Sequence, residues 1–543
     1  MTVSRLFAKL MESRGVGEDF LHPKYDAKWV HDPFGLPDME KAVERLLRAR
    51  EAGEKVLVFG DYDADGVTAA TVMKDGLNAL GIEVAEVMLP DRFVDGYGMS
   101  QKVVERAREA GATLVVTVDC GSSNEEIIAE LKAGGVDTIV TDHHECPVLP
   151  KSAVAVVNPK RPRSKYEFRE LAGVGVAYKV ICALAMRVKD TDLARGWEKW
   201  LLDLVAVGTV CDSMPLLGEN RALVYWGMQV LQKGKRVGLR ELMRTAGVKA
   251  VSSEAIGFMV GPRLNAAGRL KDPYDAYALL NASTRVEAAA LAVELNGLNA
   301  ARKTAQEEAV TEARELVSAD ARVIVVRGKW SEGLIGIVAG KLVEEFARPV
   351  FVLTGEEGGL LRGSARGYGD FDLAAAIDHC RELLEGGGGH KMAAGVSLQE
   401  GKLKKFERAV NEFYDGLGLG DQKRYAEVAA DLEIENVGDL SNKFFAETRL
   451  LEPFGEGNPE PTFRLPGVIA TEVRKMGRDN KHLAMTVLGR DGKSLRLVAF
   501  SAPEEWCVER GNRVDVAVRL MANEWRGVSR LEGQIMALKE IVA

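Results

Sequence analysis

From residue 55 onward, short apolar runs alternate with amphipathic segments. KVLVFGD reads as a strand and VTAATVMKDGLNALG as a helix; EVAEVML is a strand and SQKVVERAREAG a helix. TLVVTVDCG, NEEIIAELKAGG, DTIVTDHH and AVAVVNP continue the alternation. Strands that alternate with helices build βαβ units, so an α/β fold with a parallel, doubly wound sheet is expected. Residues 1–54 read as an irregular arm plus one helix, DMEKAVERLLRAREAGE, starting at Pro37 or Asp38. Helical spacing dominates 160–282, with a loop expected around GPRLNAAGRLKDPYD.

The stretch 283–318 runs without proline. It predicts one long helix bridging two globular halves, with two helices broken near Asn296 and Gly297 as the alternative. A smaller α/β unit follows over 319–425, through ARVIVVRG, GLIGIVAGKLVEEF, RPVFVLT and the glycine run EGGGGHKMAAG. After 426, apolar and polar residues alternate at period two, which predicts a small antiparallel barrel. The expected divisions are therefore 1–54, 55–282, 283–318, 319–425 and 426–543.

Composition narrows the reading. Lys and Arg number 72 against 80 Asp and Glu in 543 residues, so no global basic field attracts a polyanion. Such a partner must be held by local patches or by metal ions. Residues 460–543, with 14 Lys and Arg against 11 Asp and Glu, run against the overall sign. A hydrophobic share of 46% argues against a largely disordered chain. The six cysteines, Cys120, Cys146, Cys182, Cys211, Cys380 and Cys507, form no CxxC pair. That excludes zinc-knuckle spacing and fits a reducing cytoplasm. No signal peptide and no membrane span are expected.

The chemistry sits at strand ends. Asp61, Asp63 and Asp65, in GDYDADG, follow the first strand; Asp119, in VTVDCG, ends the third; Asp142, His143 and His144, in TDHH, end the fourth. The carboxyl ends of parallel strands line one crevice, so these segments converge. Carboxylates gathered there repel one another without cations, and two divalent ions are the natural neutraliser. Oxygen ligands with imidazole, and no thiolate from a motif, suit Mn²⁺ or Mg²⁺ better than structural zinc. Two such ions roughly 4 Å apart can activate a water and clamp an in-line phosphoryl displacement. A calcium hand fails, because position 12 counted from Asp61 is Val72 and not Glu. Asp212, in GTVCDSMPL, ends a helical stretch and by itself reads as a cap more readily than as a ligand.

GDYDADG, VTVDCG, TDHH and GTVCDSMPL resemble the four successive motifs of the DHH phosphoesterase superfamily. GPRLNAAGR, GGGGHKMAAG and LEPFGEGNPEPTF resemble further blocks of its RecJ branch, the bacterial single-strand-specific exonucleases. The blocks keep their order over nearly the whole chain. The resemblance implies a DHH domain, a DHHA1 domain and a C-terminal OB-fold-like barrel. It implies that Asp65, Asp119, His143 and Asp212 hold one ion, and that Asp63, with Asp61 and a bridging Asp119, holds the other. His144 would contact the reacting phosphate or serve in acid–base work, and Asp142 would orient the histidines.

The glycine run 386–389, followed by His390, reads from composition as a phosphate cradle or as a flexible linker. Its likeness to the GGxGHxxAAG motif implies the cradle, with Gly388, Gly389 and His390 at a substrate phosphate. The resemblance also implies that Ser364 and Arg366, with Arg92, recognise a 5′-terminal phosphate. Arg263 and Arg269 become candidates for the DNA path. In the barrel, Phe500, Trp506 and Trp525 are candidate base stackers, although each also suits a core. The implied activity is a metal-dependent 5′→3′ exonuclease that hydrolyses single-stranded DNA to 5′-mononucleotides in DNA repair and recombination. Single-stranded DNA-binding protein and a helicase are its implied partners. Two other readings stand beside it: a phosphoesterase for short oligonucleotides or cyclic dinucleotides, and a non-catalytic DNA-binding scaffold.

Overall fold

Runs such as VLVF, LVVTV and TIVT have no polar face, and they form the buried strands of a parallel sheet covered on both sides. The computed structural model describes residues 3–541 except 93–97, 421–428, 478–479 and 526–527. In the first sheet β1 (Val56–Phe59), β2 (Val84–Met88), β3 (Leu114–Val118), β4 (Asp137–Thr141) and β5 (Ala155–Val157) are all parallel, in the order β2-β1-β3-β4-β5. The winding direction reverses between β1 and β3. In sheets of this kind the crevice opens at that reversal, outside the carboxyl ends of the strands. The helix Ala64–Ala79 starts there and is buried around most of its circumference, packed against Gly173–Arg187 and Leu202–Cys211.

The 31-residue helix Arg285–Glu315 is continuous through Asn296 and Gly297, so the single-helix reading holds. Its first turn is capped by Thr284, whose hydroxyl accepts from the Glu287 N–H. The GPRLNAAGR segment corrects the expected loop: it is the helix Gly261–Leu270, entered through a π-helical turn at Ile256–Val260. Pro262 sits in its first turn, where a missing N–H costs nothing.

The next sheet contains β6 (Ile324–Gly328), β7 (Val350–Thr354), β8 (Leu360–Arg366), β9 (Gly386–Gly389) and β10 (Ala393–Gln399), in the order β6-β7-β8-β10-β9. Only β6 and β7 are parallel. The glycine run is thus a strand and not a flexible linker. β9 lies at the sheet edge, where pairing with β10 satisfies its backbone despite the poor strand propensity of glycine.

Residues 3–29, 215–217 and the described part of 425–541 form a separate compact unit. Its strands are β11 (Leu432–Glu433), β12 (Thr462–Met476), β13 (His482–Leu488), β14 (Ser494–Ala499), β15 (Arg513–Trp525) and β16 (Val528–Glu540). Pairing of β12 with β15 closes the ring. The barrel is not wholly antiparallel, because β14 and β16 run parallel. Residues 1–54 do not form one piece. Phe7 and Leu10 of the helix Arg5–Ser13 are buried in the barrel core with Phe444 and Phe463, and Arg14 pairs with Asp431 at 2.7 Å. The helix Met39–Ala52 packs instead beside β5 of the parallel sheet. No described helix is long and apolar enough to cross a membrane.

Candidate metal centre and nucleotide cleft

Asp61 and Asp119 leave β1 and β3 on the two sides of the sheet's reversal point, and both are buried. Asp63 caps the helix Ala64–Ala79, its Oδ1 accepting from the N–H groups of Asp65 (2.9 Å) and Gly66 (3.0 Å). Asp65 lies in the first turn of the same helix. Its carboxylate accepts from the N–H groups of Gly173 (2.7 Å) and Val174 (2.9 Å), at the start of another helix. Two helix N-termini therefore face the acidic cluster and favour its charge. His143 follows β4, and its Nε2 lies 3.1 Å from Asp119 Oδ1, 3.6 Å from Asp212 Oδ2 and 3.9 Å from Asp65 Oδ2.

These side chains fall into three overlapping groups whose candidate ligand atoms lie within 4.8 Å of one another: Asp61, Asp63 and Asp119; Asp65, His143 and Asp212; and Asp119, His143 and His144. The first gathers the three residues expected around one ion, and the second gathers three of the four expected around the other, without Asp119. The third brings His144 within ligand range as well. Asp142 departs in part from the expected role. Its Oδ1 accepts from His144 Nδ1 at 2.8 Å, but from His143 only through the backbone N–H, at 2.7 Å. It thus orients one imidazole, not two.

Electrostatics point to missing positive charge. Burial, then the charge of Asp63, pushes Asp61 up to about 8 and Asp65 up to about 7. Burial, then Asp65, pushes Asp212 up to about 8, and the same two causes raise Asp119 well above the carboxylate range. Burial and the neighbouring His144 charge hold His143 down at about 3, leaving a neutral imidazole suited to ligation. For His144 burial opposes the charge, but the hydrogen bond and charge of Asp142 prevail and carry it to about 9. Asp119 Oδ1 is buried and has no hydrogen-bond partner among the described residues. An unsatisfied buried carboxylate oxygen beside a neutral imidazole, among mutually repelling acids, fits divalent cations of the oxygen-preferring kind.

Several residues that shape this centre escaped the sequence reading. Asn265 Oδ1 accepts from the Ala64 N–H at 2.8 Å and so braces the helix that carries Asp65. A Cβ at Gly173 would meet Asp119 Oδ1 at 2.4 Å, and one at Gly208 would meet Thr68 Oγ1 at 2.4 Å and Asp65 Oδ1 at 2.7 Å. Both positions need glycine for close approach. Each lies in an ordinary apolar helix; Gly208 opens the GTVCDSMPL block, but nothing in the sequence around Gly173 marks that position. Arg302, on the long helix, lines a small recess with Cys211, Asn265 and Arg269; a lone arginine in a helical pattern gives no such signal.

Next to the centre lies a cleft of about 640 Å³. Tyr62, Arg92 and Arg269 line one side, and Ser364 and Arg366 of β8 line the other. Arg92 stacks its guanidinium 4.1 Å from the centre of the Tyr62 ring. Arg366 Nη1 donates to Ser364 Oγ at 3.2 Å. Arg269 Nη1 donates to the Gly333 carbonyl at 3.0 Å, at the start of the helix Glu332–Phe346. Arg263 is not at this cleft: its guanidinium donates to Asn296 Oδ1 and the Met259 carbonyl, tying two helices together. Of the glycine run, Gly386 and Gly387 line the cleft, while Gly388, Gly389 and His390 do not; His390 is exposed.

Three family models match in order: the DHH family N-terminal domain over 55–209, the DHHA1 domain over 320–416 and the RecJ OB domain over 430–537. The single-stranded-DNA-specific exonuclease RecJ of Escherichia coli K12 is 34% identical over 527 residues, covering 92% of this chain and 89% of that one. The chain belongs to the RecJ family. RecJ of Bacillus subtilis 168 is 36% identical over 548 residues, 98% of this chain and 67% of that one. A crystal structure of Thermus thermophilus RecJ in complex with Mn²⁺ covers all of this chain and 79% of its own, with 31% identity and a TM-score of 0.83. A second, in complex with Mg²⁺, gives 29% identity and 0.78. The RecJ barrel here separates the proposed stackers: Phe500 is exposed and Trp506 is buried, while the Trp525 side chain lies outside the described residues.

Proposed function

We propose that this RecJ-family chain is a metal-dependent exonuclease that cuts single-stranded DNA from its 5′ end and releases 5′-mononucleotides, in DNA repair and recombination. One observation carries the reading. A carboxylate–imidazole centre and an arginine-lined cleft share Tyr62, whose backbone joins Asp61 to Asp63 and whose ring faces the cleft. A terminal phosphate seated in the cleft would then leave the next phosphodiester at the centre.

Asp65, Asp119, His143 and Asp212 would hold one divalent ion, and Asp61, Asp63 and Asp119 the other. Bound there, the pair supplies Lewis-acid stabilisation of the phosphoryl group and acidifies an attacking water. The chain's own residues do the rest. Asp142 keeps His144 protonated at neutral pH, and with Nδ1 committed to Asp142 a proton given up by His144 leaves from Nε2. That proton is available to the leaving 3′-oxygen or to a phosphate oxygen. Arg92, Ser364 and Arg366 would bind the 5′-phosphate and so set the cut one nucleotide in. Arg269 would add charge to the strand's path. Arg302, on the long helix, lines an adjoining recess with Arg269, and a duplex end would be excluded by size.

We place the enzyme in the cytoplasm. Single-stranded DNA-binding protein and a helicase, suppliers of exposed single strands, are its proposed partners on family likeness. Digestion of an end-labelled oligonucleotide with Mn²⁺ or Mg²⁺ tests the central claim. A 5′ label should appear at once as mononucleotide, and a 3′ label as a descending ladder. A blunt duplex digested as fast as the single strand would overturn the selectivity, and no nucleotide release with either metal would overturn the activity.

A further inference from the structure

Strand β8 carries more anion-binding capacity than one terminal phosphate uses. Side chains two apart on a strand share a face, so Arg362, Ser364 and Arg366 project together, and all three line the cleft. Leu361, just before Arg362, and Ala365, between Ser364 and Arg366, are buried on the other face. Arg366 and Ser364 touch each other. Arg362 stands one step further along, about 7 Å from Ser364 at two residues per step. The cross-strand neighbours repeat the arrangement. Arg362 lies opposite Ser397, which lies opposite Gly386, and these three form a second row beside the row of Ser364. Small residues there leave the floor open to an approaching anion. Arg362 is half-exposed, and its Nη1 rests 3.1 Å from Glu332 Oε2, in the first turn of the helix Glu332–Phe346. That helix N-terminus, whose first-turn residues Glu332 and Gly333 line the cleft, also favours negative charge at this rim.

We propose that the second row, centred on Arg362, is a subsite for the outer phosphates of a 5′-polyphosphorylated strand, so that the enzyme accepts 5′-triphosphate ends without their prior trimming. The inference rests on the exonuclease reading above and deepens it. Two phosphoanhydride links beyond the first phosphate bridge the step from Ser364 to Arg362. Glu332 keeps Arg362 in place when the end carries a single phosphate, and yields it when more negative charge arrives. The reaction at the metal centre is unchanged. A water oxygen bonds to the phosphorus between the first two nucleotides, the bond from that phosphorus to the first nucleotide's 3′-oxygen breaks, and the 3′-oxygen takes up a proton. The first product is then an intact nucleoside 5′-triphosphate, and the shortened strand carries a 5′-monophosphate.

The test uses the full chain with Mn²⁺ and one deoxy-oligonucleotide bearing a 5′-hydroxyl, a 5′-monophosphate or a 5′-triphosphate, with first products separated by ion exchange. The triphosphate end should be cut faster than the hydroxyl end and release nucleoside triphosphate. Loss of one charge-assisted contact in R362A should lower the triphosphate-to-monophosphate rate ratio by about tenfold or more. Glu332→Gln, which removes the competing carboxylate, should raise that ratio. A triphosphate end cut no faster than the hydroxyl end, release of pyrophosphate first, or an R362A effect equal on both phosphorylated ends would overturn the inference while leaving the nuclease reading intact. Digestion of none of the three would sink that reading, and this inference with it.

Discussion

Asp119 Oδ1 lies 3.1 Å from His143 Nε2, and Asp119 belongs to two of the three candidate ligand groups, so a single carboxylate is shared between them. Its backbone is left-handed, with φ at 61°. Asp and Asn tolerate that region and most other residues do not. Asp119→Asn is therefore a cleaner test than Ala, because it removes charge without adding backbone strain. Loss of outer partners of metal ligands alone costs 10–100-fold, so a shared ligand should cost at least about a hundredfold in turnover. In the metal-free protein the same change should raise Tm near neutral pH, because burial and the neighbouring carboxylates oblige Asp119 to take up a proton on folding and Asn does not. Near-normal nuclease activity in the variant would remove Asp119 from the centre.

The raised carboxyl groups give metal-free stability a definite pH dependence. Asp61, Asp65 and Asp212 titrate at about 8, 7 and 8 when folded, against a usual 3.8. Between those values the folded chain keeps protons that the unfolded chain has released. Stability from this source is full below about pH 4 and is lost as pH rises through 7 to 8. Unfolding followed in EDTA should show Tm falling over that window by at least about 3 °C, the shift expected for roughly 1 kcal/mol in a domain of this size. Mn²⁺ should flatten the slope, with apparent affinity rising with pH as ligand protons are displaced. A metal-free Tm that climbs from pH 5 to 8 would contradict the assignment.

Gly173→Ala and Gly208→Ala probe the centre without touching a ligand or a charge. The new methyl would press on Asp119 in the first case, and on Asp65 and Thr68 in the second. Crowding a packed site costs about 1–3 kcal/mol, and the least constrained response is to push the carboxylate out of place. Manganese affinity by titration should fall by about 10–100-fold in each, as for other changes beside metal ligands. Affinity unchanged in both would mean that the two carboxylates are not held by this packing.

What the sequence made legible was the part fixed by topology. Asp61, Asp119 and His143 sit at strand ends, and parallel winding has only one way to gather strand ends. Arg92, Ser364 and Arg366, grouped by the motif resemblance, line one cleft, and Arg269 lines it with them. Features that depend on distant packing were not legible. The glycine run is a strand because β10 supplies its partners. GPRLNAAGR is a helix because Gly268 packs against Tyr62 and Asn265 against Ala64, contacts some 200 residues apart in sequence. Residues 3–29 read as an arm because their apolar side chains find their core in a barrel more than 400 residues later.

Arg366 and Arg263 carry the same charge in similar-looking motifs, yet the structure gives them different work. Arg366 lines the cleft beside Ser364, whereas Arg263 is spent on Asn296 and the Met259 carbonyl. Arg366→Ala should therefore slow digestion of a 5′-phosphorylated strand by about 10–100-fold, the worth of a charge-assisted contact, and affect a 5′-hydroxyl strand much less. Arg263→Ala should lower stability by about 1–3 kcal/mol, through the lost bond to Asn296 on the long helix and the lost bond to the Met259 carbonyl one turn back, and change both strands alike. Digestion rates on the paired substrates, together with chemical denaturation of each variant, separate the two. A 5′-phosphate preference that survives in Arg366→Ala and disappears in Arg263→Ala would reverse the assignment and move the terminal phosphate out of the cleft.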